Sequence, residues 1–363
     1  MESSKLVTRK LTKIITPGTY HDVLSNDNNY VASIYSNQKF SLSYGDVSTG
    51  EMYCISYLKV DDITNEIITL NIKEVIDPFN VLADYIDVLS YYNVQINSEE
   101  KNAIEINTKN MMEEDVSDII LRNYIKSILC EKDDHISKTI KIETNQFMNM
   151  TINTQKQLEL TSTLKDQEYI GSLFWFLNKT NTAMGRRLLK KFIVHPLIDK
   201  EEINRRQNIV EVFMNKSISL EKLNENLSAV YDFERLIGRI NEGSINPKEL
   251  IQLKKSINKI PEIKNTLSEF NDLTVDKLIE EFEELKDVLK ILEDTIDEEA
   301  GIFIKEGNII KKGYSSELDE LREIKVNSNN WLAHFEAQER DATGIKNLKV
   351  KYNRIFGYFI EVT

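Results

Sequence analysis

Val275, Leu278, Phe282, Leu285, Leu289, Leu292 and Ile296 follow one another at intervals of 3, 4, 3, 4, 3 and 4 residues. A strand alternates every second residue, so this seam fits only a helix lying along another helix. Its three repeats are short for an oligomerising coiled coil, and the expected partner is a helix of the same chain. The outer face between Asp272 and Ala300 is rich in acids, which should repel a phosphate backbone. With only 5 prolines and 12 glycines in 363 residues, the chain as a whole suits long helices better than a loop-rich β fold.

Hydrophobic residues make up 41% of the sequence, enough for a sizeable interior, and the length suggests two or three domains. The formal net charge of −13 argues against a chain coated in nucleic acid but leaves room for a local basic patch. Cys54 and Cys130 are too few for a disulfide framework or a zinc site and read as free thiols in a reducing compartment. Lys5, Arg9, Lys10 and Lys13 are followed by no apolar run of signal-peptide length, and no stretch approaches the ~18 residues of a membrane span. A cytoplasmic protein is expected.

Taken in order, residues 1–20 read as a basic linker ending in the turn signal Thr16-Pro17-Gly18-Thr19. Between Tyr30 and Asn97 the pattern favours strands. Phe40–Val47 and Glu51–Leu58 alternate around Ser48-Thr49-Gly50 as a hairpin, Glu66–Ile72 is a third strand candidate and Val94–Ile96 a fourth. Asp77-Pro78 opens a helix with the face Val81, Leu82, Tyr85, Ile86 and Leu89. From Asp115 to about Ala300 the periodicity is helical, beginning with Val116, Ile119, Ile120 and Tyr124 on one face. Leu173, Phe176 and Leu177, then Met184, Leu188, Leu189 and Phe192, share a helical face. His195-Pro196 stops that helix. Asp199 and Glu202 then predict a start closed by side chains at both ends, with Ile203, Ile209, Val210 and Phe213 as the next apolar face. Trp331–Arg340 reads as a short helix. Leu348, Val350 and Tyr352, then Tyr358, Ile360 and Val362, alternate as two strands about a turn near Arg354–Gly357.

Three segments carry a family resemblance. Thr180–Phe192 (TNTAMGRRLLKKF), His195–Asp199 (HPLID) and Ile203–Phe213 (INRRQNIVEVF) resemble the core of the MutS DNA mismatch-repair proteins. The Asp232–Arg235 segment (DFER) and Leu348–Thr363 are similar to that family's core and clamp. The resemblance implies a multidomain, mainly α protein. Residues 1–20 would be the linker, 21–112 a small ribonuclease H-like α/β connector, 113–319 a long-helix core and lever, and 320–363 the start of a β-rich clamp. Two positions depart from the family pattern, Asn80 where an acid is usual and Gln157 where an asparagine is. The mismatch-reading domain is expected to be absent and the clamp to be incomplete.

Lys346, Lys349, Lys351 and Arg354 fall within nine residues with no acid between them. Strand alternation puts Lys349, Lys351 and Asn353 on one face. Read from the residues alone, this is a solvated charged face. The resemblance turns all five into candidate contacts to the backbone of double-stranded DNA, independent of sequence and sensitive to salt. Tyr352 and Phe356 read as core of the small sheet. No glycine here precedes a lysine, so a Walker A loop is missing and no catalytic role is expected. ATP, magnesium and a homodimer are implied only for a full-length protein, while the resemblance also implies a MutL-type partner on the connector and nucleoid association. His21, His135, His195 and His334 have no metal-ligand spacing, and His195 reads as a loop residue. Asp46, in Gly-Asp-Val-Ser-Thr-Gly, raises the alternative of a ribonuclease H-like nuclease, although an aspartate there commonly bonds its own turn. A shortened MutS-like scaffold that only binds partners is the other alternative.

Overall fold

In the computed structural model, which describes residues 11–20, 25–98, 111–130, 133–353 and 357–362 (backbone alone over 324–331), the early alternation becomes a meander. Its strands β1 (Val31–Ser36), β2 (Phe40–Asp46) and β3 (Glu51–Tyr57) are antiparallel, and β2 and β3 form the expected hairpin. The expected third strand at Glu66–Ile72 is instead the end of helix α1 (Val60–Thr69) and the turn after it. Helical spacing wins here because Ile63 and Ile67, four apart, are both fully buried on one face. Strand β4 (Glu74–Ile76) follows and pairs parallel with β1. The Asp77 carboxylate accepts the N–H groups of Val81 and Leu82, both at 2.9 Å. Asn80 sits in the left-handed region at φ 56°, so the helix expected to open at Asp77-Pro78 does not form there; Asp77 holds a turn, and helix begins only with a short 3-10 stretch at Ala83–Tyr85. Helix α2 (Ile86–Tyr91) and strand β5 (Gln95–Asn97) complete this run.

Helix α3 (Glu113–Ile128) and strand β6 (Ile140–Ile142) then return to the sheet, whose order is β5-β4-β1-β2-β3-β6. Each face has its own core. Ile34, Leu42, Tyr44 and Ile55 pack with Ile63 and Ile67 of α1 and Leu89 of α2. Val31, Met52 and Ile76 pack with Val116, Ile120 and Tyr124 of α3. Small polar residues bring α3 close, with Ser41 and Ser43 bonded to Ser117 Oγ at 2.9 and 2.8 Å. Residues 113–142, expected within the helical domain, therefore stand with the sheet. The turn at Thr16–Thr19 is also tied to it. Gly18 N–H donates to buried Glu74, and a Cβ on Gly18 would come within 2.8 Å of the Glu74 and Val31 Cβ atoms.

The helical part runs through α4 (Ile152–Gln157), α5 (Leu173–Leu177), α6 (Ala183–Val194), α7 (Lys200–Met214), α8 (Ser217–Ser228), α9 (Phe233–Glu242), α10 (Pro247–Ser268) and α11 (Leu273–Glu280). In α5 the buried residue is Phe174, while the expected Leu173, Phe176 and Leu177 are exposed. The five-residue helix is too short for periodicity to fix its inward face. Asp199 caps α7 by accepting from Glu202 N–H at 2.8 Å, but the Glu202 carboxylate bonds Arg205 and Arg206 instead of closing the box. The reciprocal box stands at α10, between Asn246 and Glu249 with Pro247 at the first helical position. Leu223, Ile263, Leu267, Phe270 and Val275 form a third core, joined by Phe213.

The heptad seam does not become one helix. α11 stops at Glu280, Leu285 takes a positive φ of 47°, and α12 (Lys286–Thr295) starts afresh. The acid-rich stretch Glu280–Glu284 (EEFEE) sets like charges three and four apart, which destabilises a continuous helix. Val275, Leu292 and Ile296 are nevertheless buried, whereas Phe282 beside the break is 38% exposed, so the seam marks the inward side only away from the break.

The chain divides into two compact units between Leu289 and Lys290. In the second, Ile296 bridges Ile310. Helix α13 (Ser316–Thr343) is far longer than the expected Trp331–Arg340 and ends on left-handed Gly344. Strands β7 (Leu348–Asn353) and β8 (Gly357–Val362) form the expected antiparallel hairpin. Among the described residues, no helix is long and apolar enough to cross a membrane.

Candidate nucleic-acid interface and ionic seam

The sequence of α6 sets two pairs of cations four residues apart, Arg186 with Lys190 and Arg187 with Lys191, so each pair shares a stripe. The first stripe meets Asp27, with Arg186 Nε at 2.9 Å and Lys190 Nζ at 3.4 Å. Arg186 also stacks over the Tyr169 and Phe174 rings, 4.8 Å from each centroid. Burial pushes the Asp27 pKa up, but Lys190 and Arg186 outweigh it and leave the carboxyl below its ordinary value.

The second stripe is more deeply placed. Arg187 is 3% exposed and grips Asp232 with two nitrogens, at 2.8 and 2.7 Å, while also pairing with Glu234. Arg235 donates to the Ser25 and Asp27 carbonyls. Lys191 Nζ lies 2.9 Å from Glu51 and 3.0 Å from the Tyr53 hydroxyl. Beyond the end of α6, His195 Nε2 meets Glu66 of α1 at 2.9 Å. His195 is the loop residue expected, just past the helix end, and its ring additionally bonds a carboxylate. This seam ties β3 (Glu51, Tyr53) and α1 (Glu66) to the later helices, and its members are charge partners with no substrate-facing arrangement. The repeated i,i+4 cations in Arg-Arg-Leu-Leu-Lys-Lys were the signal that sequence reasoning passed over.

Asp46 belongs to the same junction. It is 1% exposed and accepts from Asn28 Nδ2 and Asn29 N at 3.0 and 3.1 Å, and from Ser48 N and Oγ at 2.9 and 2.7 Å. Its oxygens are therefore taken up by its own turn and the 28–29 segment. That turn is pressed against α9, where a Cβ on Gly238 would meet the Ser48 carbonyl at 2.6 Å. His135 bonds the Val47 carbonyl and Asn241 from either ring nitrogen. Among the described residues, no group of three or more His, Cys, Asp or Glu is arranged to hold a metal ion.

In the second unit, the register Lys349↔Glu361 and Lys351↔Phe359 sets Lys349, Lys351, Asn353 and Glu361 on one face of the hairpin. Lys349 and Lys351 are exposed, and Lys346 is exposed in the turn before β7. Arg354 and Phe356 lie outside the described residues. The sequence places no acid among the lysines, but the second strand supplies one, since Lys351 Nζ pairs with Glu361 at 2.5 Å. The opposite face is apolar. Tyr352 is not core as expected, being 64% exposed beside Tyr358 at a ring separation of 5.0 Å. Only Leu348 is buried there, where Arg340 of α13 holds its carbonyl at 2.7 Å.

A family model described as MutS domain III matches residues 153–356, more than half of the chain. The chain belongs to the MutS family. The match begins eleven residues after the last strand of the sheet, Ile140–Ile142, so it takes in α6, α9 and the first strand of the hairpin of this MutS chain and ends before β8. The DNA mismatch repair protein MutS of Staphylococcus epidermidis is 38% identical over 375 residues, covering 100% of this chain and 42% of that protein. The protein of that name from Clostridium novyi is 39% identical over 384 residues, covering 99% of this chain and 42% of its own length. That from Staphylococcus haemolyticus is 36% identical over 384 residues, with 100% and 42% covered. The chain spans about 42% of the length of these MutS relatives.

Proposed function

We propose that this chain is the structural frame and part of the duplex-gripping surface of a DNA mismatch repair protein. The observation that carries the reading is the exposed hairpin face holding Lys349 and Lys351, in a chain whose relatives bear that name. Two lysines two residues apart on a strand are spaced for neighbouring phosphates, and such contacts position a duplex without reading its sequence. Lys346, Asn353 and Arg354 would extend the same face. Glu361 would weaken the grip by competing for Lys351.

The sheet unit supports a connector role. Its antiparallel centre, parallel outer pairings and helices on both faces favour a ribonuclease H-like fold, and a MutL-type partner would dock there. Catalysis is assigned to none of these residues. In the intact protein, ATP and its magnesium ion would be handled by sequence outside these 363 residues. A homodimer working at the nucleoid would carry motion through helices such as α11 to α13.

The test is fluorescence anisotropy of a labelled duplex, perfect and mismatched, titrated with the chain. Binding on the order of 10⁻⁴ to 10⁻⁶ M, equal on both duplexes and weaker in Lys349→Ala and Lys351→Ala, is expected. A preference for the mismatch, or no binding at low salt, would overturn the duplex-gripping role.

A further inference from the structure

In a chain of net charge −13, a cleft of the first unit gathers cations in excess of acids. It measures about 510 Å³ and lies between the sheet side, at Thr69, Asn71 and Tyr92, and the helical side, at Lys156, Arg186 and Lys190. Three cations line it against a single carboxylate, Asp27. That carboxylate is already shared, held at 2.9 Å by Arg186 but at 3.4 Å by Lys190. The partner of Lys156 is a neutral phenol, since its Nζ meets the Tyr92 hydroxyl at 2.9 Å and lies 4.5 Å from the ring centroid.

A fourth cation lies behind the lining, bonded to one of its residues. Lys73 donates to Asn71 Oδ1 at 2.7 Å. Burial and the charge of Lys190 both hold its pKa below the ordinary lysine value, so positive charge here repels positive charge. Thr161 and Ser162 add hydroxyl donors to the lining. Crowded cations with too few acids are unfavourable when the site is empty and are relieved by an anion that accepts from several at once.

We propose that this cleft binds a small phosphorylated anion, with Lys156 and Lys190 meeting its phosphoryl oxygens, Lys73 adding charge from behind the lining and Thr161 and Ser162 donating from the rim. The volume sits within the ~300–1,000 Å³ of small-molecule sites and is too small to seat a duplex. Because its walls come from both the sheet and the helices, an anion bound there would brace the junction that the ionic seam already holds. The site is independent of duplex gripping by the hairpin.

Isothermal titration calorimetry of the full 363-residue chain with inorganic tripolyphosphate, at low salt and without phosphate buffer, tests this. Saturable one-site binding is expected. Lys156→Gln and Lys190→Gln should each weaken it about tenfold or more, the loss of one charge-assisted contact, while melting cooperatively. Lys141→Gln, whose lysine pairs with Asp115 away from the cleft lining, should leave affinity unchanged, and a short DNA duplex should not displace the probe. Equal affinity in Lys156→Gln, equal weakening by Lys141→Gln, displacement by duplex, or no saturable heat would each overturn the proposal.

Discussion

The hairpins β2–β3 and β7–β8 look alike in sequence, with strands of 7 and 6 residues that alternate about a glycine-containing turn. In β2–β3 both faces are covered. Leu42 is 0%, Met52 1% and Ile55 2% exposed, with α1 on one side and α3 on the other. In β7–β8 the apolar side stays largely open, and Tyr358 and Val362 are 60% and 55% exposed. Alternation specifies a hairpin, but what covers it decides whether it is core or contact surface. The buried hairpin is part of a core, and the open one keeps both faces largely exposed.

The largest effect should come in the ionic seam, between α6 and the start of α9. Arg187→Ala strands Asp232 and Glu234 together without their shared cation, and should cost about 3–5 kcal/mol in chemical denaturation. A cost under about 0.5 kcal/mol, the usual surface value, would show the seam to be ornamental. Next, Leu42→Ala should cost about 3 kcal/mol, transfer energy plus a cavity. Ile360→Ala in the open hairpin should stay within about 0.5 kcal/mol. Similar losses at both sites would erase the contrast between the hairpins.

A smaller, pH-dependent effect follows from His195. Burial draws its pKa down, but the charge and hydrogen bond of Glu66 more than restore it, leaving the imidazole above 6.5. A pKa raised on folding gives stability that is fully present below the unfolded value and lost as pH climbs through the folded one. The Tm advantage of the parent chain over His195→Gln should therefore shrink as pH rises from below 6.5. Parallel Tm profiles would mean that the pair with Glu66 does not hold in solution.

How much could be read beforehand differed along the same lines. The hairpins, the helix stop at His195-Pro196 and the Asp199 cap were legible because each is set by near neighbours. Glu66–Ile72 misled, since a short apolar run does not declare its period until Ile63 is counted with it. The heptad seam identified inward residues toward its two ends but neither the exposed Phe282 nor the break at Leu285, where clustered acids override periodicity. At the candidate interface, Lys349 and Lys351 were legible from alternation. Their neighbour Glu361 was not, because it reaches them through strand register. The Arg187 pairs join residues 45 and 47 positions apart, beyond any local pattern.

Glu361 offers the finest adjustment of the open hairpin, since Glu361→Gln releases Lys351 and should strengthen duplex binding severalfold without altering Tm. The most direct test of that hairpin as a phosphate grip is the salt dependence of duplex binding, compared between the parent chain and the double variant Lys349→Gln, Lys351→Gln. Each phosphate contact adds about 0.9 to the slope of log affinity against log salt. The variant's slope should be shallower by about 1.8, with equal losses on perfect and mismatched duplexes. Superimposable slopes would contradict the account and place duplex contact away from the hairpin.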